Sequence, residues 1–156
     1  MSRYAPLALL SLFALPAHAV PPNACELVKP EEINLIAANK VERVQQVKTG
    51  NPSECSFLDA KRGAVLTVSV REVQYAVKDE MGQERESLEK IYRTKSKTID
   101  TVGEGGYWTP VHNQMGFRKG KTIVSVRFAQ PKNQNELDTS QIARVIETRL
   151  GKPAAQ

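Results

Sequence analysis

The chain has 156 residues, 25% of them charged and 40% hydrophobic, with a formal net charge of +5, which fits one folded domain. Charge this mild and this evenly spread excludes the basic runs of a nucleic-acid binder; it favours at most weak association with anionic envelope surfaces. Two cysteines cannot make a zinc centre alone, and only one histidine, His112, lies beyond residue 19.

Residues 1–19 read MSRYAPLALLSLFALPAHA. Arg3 supplies the positive start, an apolar run extends from Ala5 to Leu15, Pro16 breaks it, and Ala17-His18-Ala19 forms a small-residue cleavage site. This is the layout of a secretory signal peptide, cut after Ala19. The apolar run is too short to span a bilayer, and no later segment is apolar enough. Export to the periplasm or beyond follows as an expectation. In that compartment Cys25 and Cys55 are expected to pair as a disulfide. Pro22-Asn23-Ala24 before Cys25 lacks the Leu-small-small pattern of a lipid-attachment cysteine.

Residues 20–28 read as a leader carrying the first cysteine, and 29–151 as the domain. Lys29-Pro30-Glu31-Glu32 opens a helix expected over 30–39, with proline at the first position and two carboxylates at the positive end of the dipole. Val41, Val44 and Val47 fit a short irregular extended stretch, and Thr49-Gly50-Asn51-Pro52 a turn. Residues 54–59 predict a strand, paired across Lys61-Arg62-Gly63 with a second strand carrying Leu66, Val68 and Val70 on one face. Val73, Tyr75 and Val77 continue in the opposite phase, which predicts a bulge near Arg71-Glu72. Residues 79–95 predict a helix burying Met81, Leu88, Ile91 and Tyr92, with Gly82 pushing its start towards Gln83. A short strand is expected over 97–102.

Then comes VGEGGYWTP, residues 102–110, which holds the chain's only tryptophan. The glycines permit a sharp reversal, and an aromatic just after it can close the end of a sheet. Residues 111–118 and 121–129 flank Lys119-Gly120 as a second hairpin, with Val124, Val126 and Phe128 facing one way. A last helix is expected to be capped by Asp138, to bury Ile142, Val145, Ile146 and Leu150, and to stop at Gly151 and Pro153 before a disordered tail at 152–156. The fold class is α+β: an antiparallel sheet of about five strands, helices mainly on one face, in the order α-β-β-α-β-β-β-α.

The chemistry is sparse. His112 is the only histidine beyond residue 19, no Gly-x-Ser-x-Gly occurs, and no His/Cys/Asp/Glu group has metal-ligand spacing. Gly103-Glu104-Gly105-Gly106 does not lead into a helix, so it lacks the context of a dinucleotide loop. No catalytic residue, metal or cofactor is assigned. The candidate contact set is Gly103, Gly105, Gly106, Tyr107, Trp108, Arg118, Lys119 and Lys121. Tyr107 and Trp108 either close the corner or form an aromatic anchor for a partner. If the basic turns at Lys61-Arg62 and Arg118–Lys121 lie at one end of the sheet, they form an anion-attracting patch.

Several stretches occur together in order: Cys25-Glu26-Leu27-Val28, Pro30-Glu31-Glu32, Cys55, Gly103-Glu104-Gly105-Gly106-Tyr107-Trp108, Arg118-Lys119-Gly120 and Arg149-Leu150. This order resembles a family of small secreted bacterial proteins and lipoproteins of unknown function. The resemblance spans nearly the whole region after residue 19. Gly106 stands where that family favours Ala, and Lys29 where it favours Thr. The layout is also similar to small sandwiches of the PsbP type, which act as binding or assembly modules. The functional expectation is a periplasmic, non-enzymatic binding or assembly module that recognises an envelope protein, as an inhibitor or immunity factor would. The alternative is a binder of a small ligand or an anionic envelope polymer. A hydrolase is the third reading, with His112 as its only histidine.

Overall fold

The computed structural model describes residues 21–75, 79–129 and 136–150. In chain order the elements are α1 (Pro30–Asn34), β1 (Arg43–Lys48), β2 (Ser53–Leu58), β3 (Ala64–Glu72), α2 (Glu80–Tyr92), β4 (Lys97–Ile99), β5 (Gly106–Thr109), β6 (Gln114–Lys119), β7 (Thr122–Phe128) and α3 (Glu136–Leu150). The strands form one sheet in the order β1-β2-β3-β7-β6-β5-β4, and every pairing is antiparallel. The α+β class therefore holds, with seven strands among the described residues rather than about five.

Alternation along the strands sorts side chains onto two faces. Cys55, Phe57, Leu66, Val68, Val70, Val124, Val126, Phe128, Met115 and Phe117 share one face and form the core. Ile142, Ala143 and Ile146 of α3, Ile33 of α1, and Ala24, Leu27 and Val28 before it cover that face. The leader residues are thus part of the core. Helix α2 lies on the other face, where its Glu84 meets Tyr107 and Arg71, and Arg85 meets Thr98. Helices mainly on one face is thus corrected: α1 and α3 cover one face, and α2 part of the other.

Two strands escape the sequence reading. In β1, Val44 and Val47 are three apart, and the register shifts between Gln46 and Lys48, so period-two alternation is absent. The strand is at the sheet edge, and Val44 and Val47 stay 46% and 52% exposed. Strand β5 is the expected corner itself. Other limits move as well. Helix α1 ends at Asn34, because the Asn34 side chain accepts the Val41 N–H at 2.7 Å and draws the chain back. There is no bulge at Arg71-Glu72: β3 ends at Glu72, and Tyr75 is 80% exposed. Val77 lies outside the described residues. Helix α2 starts at Glu80, and a Cβ on Gly82 would sit 2.3 Å from the Asp79 carboxylate, so the glycine admits that turn. Its expected stripe is cut short, with Ile91 69% exposed. Residues 111–113 form a turn, and β6 begins only at Gln114. Asp138 lies inside α3 and is buried, so it is not the cap. Ile142, Ile146 and Leu150 do pack on the core. Gly151, Pro153 and the tail at 152–156 fall outside the described residues, as do residues 1–20.

The expected disulfide joins Cys25 to Cys55, and no described cysteine is left over. Such a bond suits an oxidising, extracytoplasmic environment. No helix among the described residues is long and apolar enough to cross a membrane.

Arg149 ties α3 to the start of the chain. It donates to the Leu27 carbonyl at 2.8 Å and to Glu32 at 2.7 Å. Burial raises the Glu32 carboxyl, but hydrogen bonds from Arg149 and the Lys29 N–H, with their charges, outweigh it and leave the group below its ordinary 4.5. A carboxyl depressed in the folded state stabilises above its unfolded value and loses that contribution as pH falls through its folded value. Stability should therefore hold from neutral down to about 4.5 and drop as pH falls below it. Arg149→Met should flatten the part due to Glu32, as measured by melting curves at several pH values. An unchanged pH slope would show that the pair does not couple to folding.

Candidate functional site

The candidate residues do not assemble into one surface. Successive residues on a strand point to opposite faces, and this splits both candidate pairs. Tyr107 faces α2, whereas Trp108 faces the core with Met115 and is half-buried. Arg118 reaches Glu104 at 3.8 Å, whereas Lys119 reaches Glu147 of α3 at 3.1 Å.

Tyr107 is fully buried. Its hydroxyl donates to Glu84 at 2.7 Å and accepts from the Gln114 amide at 3.0 Å. Burial, followed by the charge and hydrogen bond of Glu84, pushes the phenol far above its ordinary value. That upward shift keeps the hydroxyl a donor to Glu84. Arg71 holds the same helix from below, at 3.1 Å from Glu80 and 3.2 Å from Glu84. Tyr107 therefore offers no surface for an anchor; it is the bolt that fixes α2 to the sheet. Trp108 shares the half-buried edge near β4, and its indole N–H has no acceptor among the described residues.

The glycines of VGEGGYWTP are what the corner requires. Gly103 has φ +66°, and a Cβ there would lie 2.3 Å from the Arg118 carbonyl. That close approach lets the Glu104 N–H donate to the same carbonyl at 2.7 Å. The Glu104 carboxylate accepts the Gly120 N–H at 3.1 Å, which locks the corner to the β6–β7 turn. Bolted α2 and the locked corner then enclose a cleft of about 600 Å³. Gly105, Gly106 and Arg118 form one wall, the first turns of α2 with Met81, Gly82 and Arg85 the other, and Thr98 of β4 the rim. Asp79, Glu80 and Glu104 also line it, so the cleft carries both signs of charge with a slight excess of carboxylates.

The basic turns lie at opposite ends of the sheet. Ala64, just after Lys61-Arg62, pairs with Leu58, and Leu66 pairs with Phe128 at the far end of β7. Thr122, just after Lys121, pairs with Glu72 at the end of β3. The conditional anionic patch is therefore not built. His112 also lies apart from the corner cleft; it borders a pocket with Asn113 and Arg127. The sequence marks the corner but not its other wall. Residues 79–85 are brought against 104–106 by the β4–β5 pairing and by the contacts of Glu84 with Tyr107, of Glu80 and Glu84 with Arg71, and of Arg85 with Thr98, for which no local pattern exists.

No protein-family model matches this chain, and no curated protein matches it.

Proposed function

We propose that the protein is an exported, periplasmic, non-enzymatic binding module whose recognition site is the cleft between the start of α2 and the Gly103–Gly106 corner. The observation that carries this reading is the concave cleft of about 600 Å³. Its volume is that of a small-ligand or short-segment site. Its mixed charges favour a ligand with both signs of charge, such as a short peptide segment of an envelope protein. The signal-peptide layout of residues 1–19, the disulfide and the resemblance to small secreted bacterial proteins support export. The sequence supports the non-enzymatic reading, since no nucleophile and base are paired in it.

Affinity capture tests this. The oxidised protein and an Arg118→Glu variant are immobilised and exposed to an envelope extract of the source cell. Reversing one wall should abolish retention of a protein that the parent holds, at least tenfold by band intensity, while the variant still melts cooperatively. Equal retention by both would remove the cleft as the site.

A further inference from the structure

A second pocket lies at the other end of the sheet, on the face that α2 leaves partly open. The link from β5 to β6 passes through two consecutive non-glycine residues in the left-handed region, His112 at φ 61° and Asn113 at φ 48°. Strained backbone of this kind persists where the surroundings hold it, and it concentrates at ligand sites. Here it shapes a pocket of about 460 Å³ with Thr67, Arg127 and Ala129. Arg127 is the only charged side chain among the described residues that line it, and no carboxylate does. That is the opposite balance to the corner cleft. Asn113 is only 8% exposed, and its Oδ1 has no hydrogen-bond partner among the described residues. An unopposed cation beside the Thr67 hydroxyl suits a ligand that is an anion and also carries hydroxyls.

The surroundings extend the same chemistry. The register places Gln45, Ser56, Thr67, Arg127 and Gln114 in one row across five strands on this face. Amides and hydroxyls in a row suit a chain of hydroxylated units. Tyr92 stands edge-on to His112 with ring centroids 5.3 Å apart and braces the imidazole that borders the pocket.

We propose that this pocket binds an acidic sugar, with Arg127 holding the carboxylate or phosphate and the Thr67 hydroxyl beside it meeting the sugar hydroxyls, independently of the corner cleft. Calorimetric titration of the oxidised full protein tests it, with D-glucuronate, glucose 6-phosphate, D-glucose and a hexamer of polyglucuronate as probes. At least one anionic monosaccharide should bind ten or more times tighter than glucose. Arg127→Gln should weaken it at least tenfold, and Arg118→Gln should leave it unchanged. A hexamer tighter than the monomer assigns the sugar to an envelope polymer; equal affinities assign it to a free sugar. Binding of no anionic probe, or binding that ignores charge or survives Arg127→Gln, overturns the proposal. Arg127 is exposed, so its variant keeps the fold.

Discussion

Replacing Cys25 and Cys55 together by serine should lower the melting temperature by about 10–15 °C, corresponding to a loss of about 3–4 kcal/mol. The bond closes a loop of 30 residues, and opening it releases that loop in the unfolded chain. The folded state also depends on the attachment. Cys55 is fully buried in β2, and the residues beside Cys25 (Ala24, Leu27 and Val28) cover the core face there. Without the bond they are held by their own burial, by the Ala24 N–H donating to Ser53 Oγ at 3.0 Å, and by Arg149 on the Leu27 carbonyl. Melting with and without dithiothreitol measures the same quantity without mutation. A reduced protein that melts at the same temperature would show that the bond adds nothing to what burial and the Ser53 and Arg149 contacts already hold.

Gly116→Ala should destabilise the protein by about 3–4 kcal/mol. A Cβ at Gly116 would lie 2.5 Å from Tyr107 Cε1 and 2.6 Å from Cζ. The ring has nowhere to go, because its hydroxyl is held by Glu84 and Gln114 on the other side. Overpacking of this kind costs about 1–3 kcal/mol, and losing a hydrogen bond to a charged group adds about 1.5–3 kcal/mol. The cost should vanish once the ring is gone: in a Tyr107→Leu background, Gly116→Ala should be nearly silent. A double-mutant cycle by urea unfolding gives the coupling, expected above about 1 kcal/mol. Additive effects would mean that the Tyr107 ring does not press on Gly116 as the structure places it.

The parts of the fold that the sequence makes legible share one property, an uninterrupted periodicity. Leu66, Val68 and Val70 alternate, as do Val124, Val126 and Phe128, and both sets lie on the core face. The stripe of α3 is equally plain. Strand β1 is illegible because its valines are out of phase and its edge position leaves them exposed. Helix α2 misleads for a different reason. It packs on a polar face through Glu84, Arg85 and Arg71, so its apolar residues do not mark its contacts. The candidate site was half legible. Gly105, Gly106 and Arg118 do line the corner cleft, but Tyr107, Trp108 and Lys119 belong to packing and pairing on two faces. Adjacent residues in a sequence look like one site until strand alternation separates them. The His112–Asn113 conformation carries no sequence signal beyond the tolerance of Asn for left-handed backbone.

On the proposed function, a partner seats in the corner cleft. Site-specific photocrosslinking from the protein in intact source cells is the sharpest test of it. A photoreactive residue at Thr98, exposed on the rim of the cleft, is compared with one at Val44 on the open edge of β1. A discrete crosslinked product is expected from position 98, lost with Arg118→Glu, and none from position 44. A product from position 44 alone would contradict it and move the recognition surface to the free edge of the sheet.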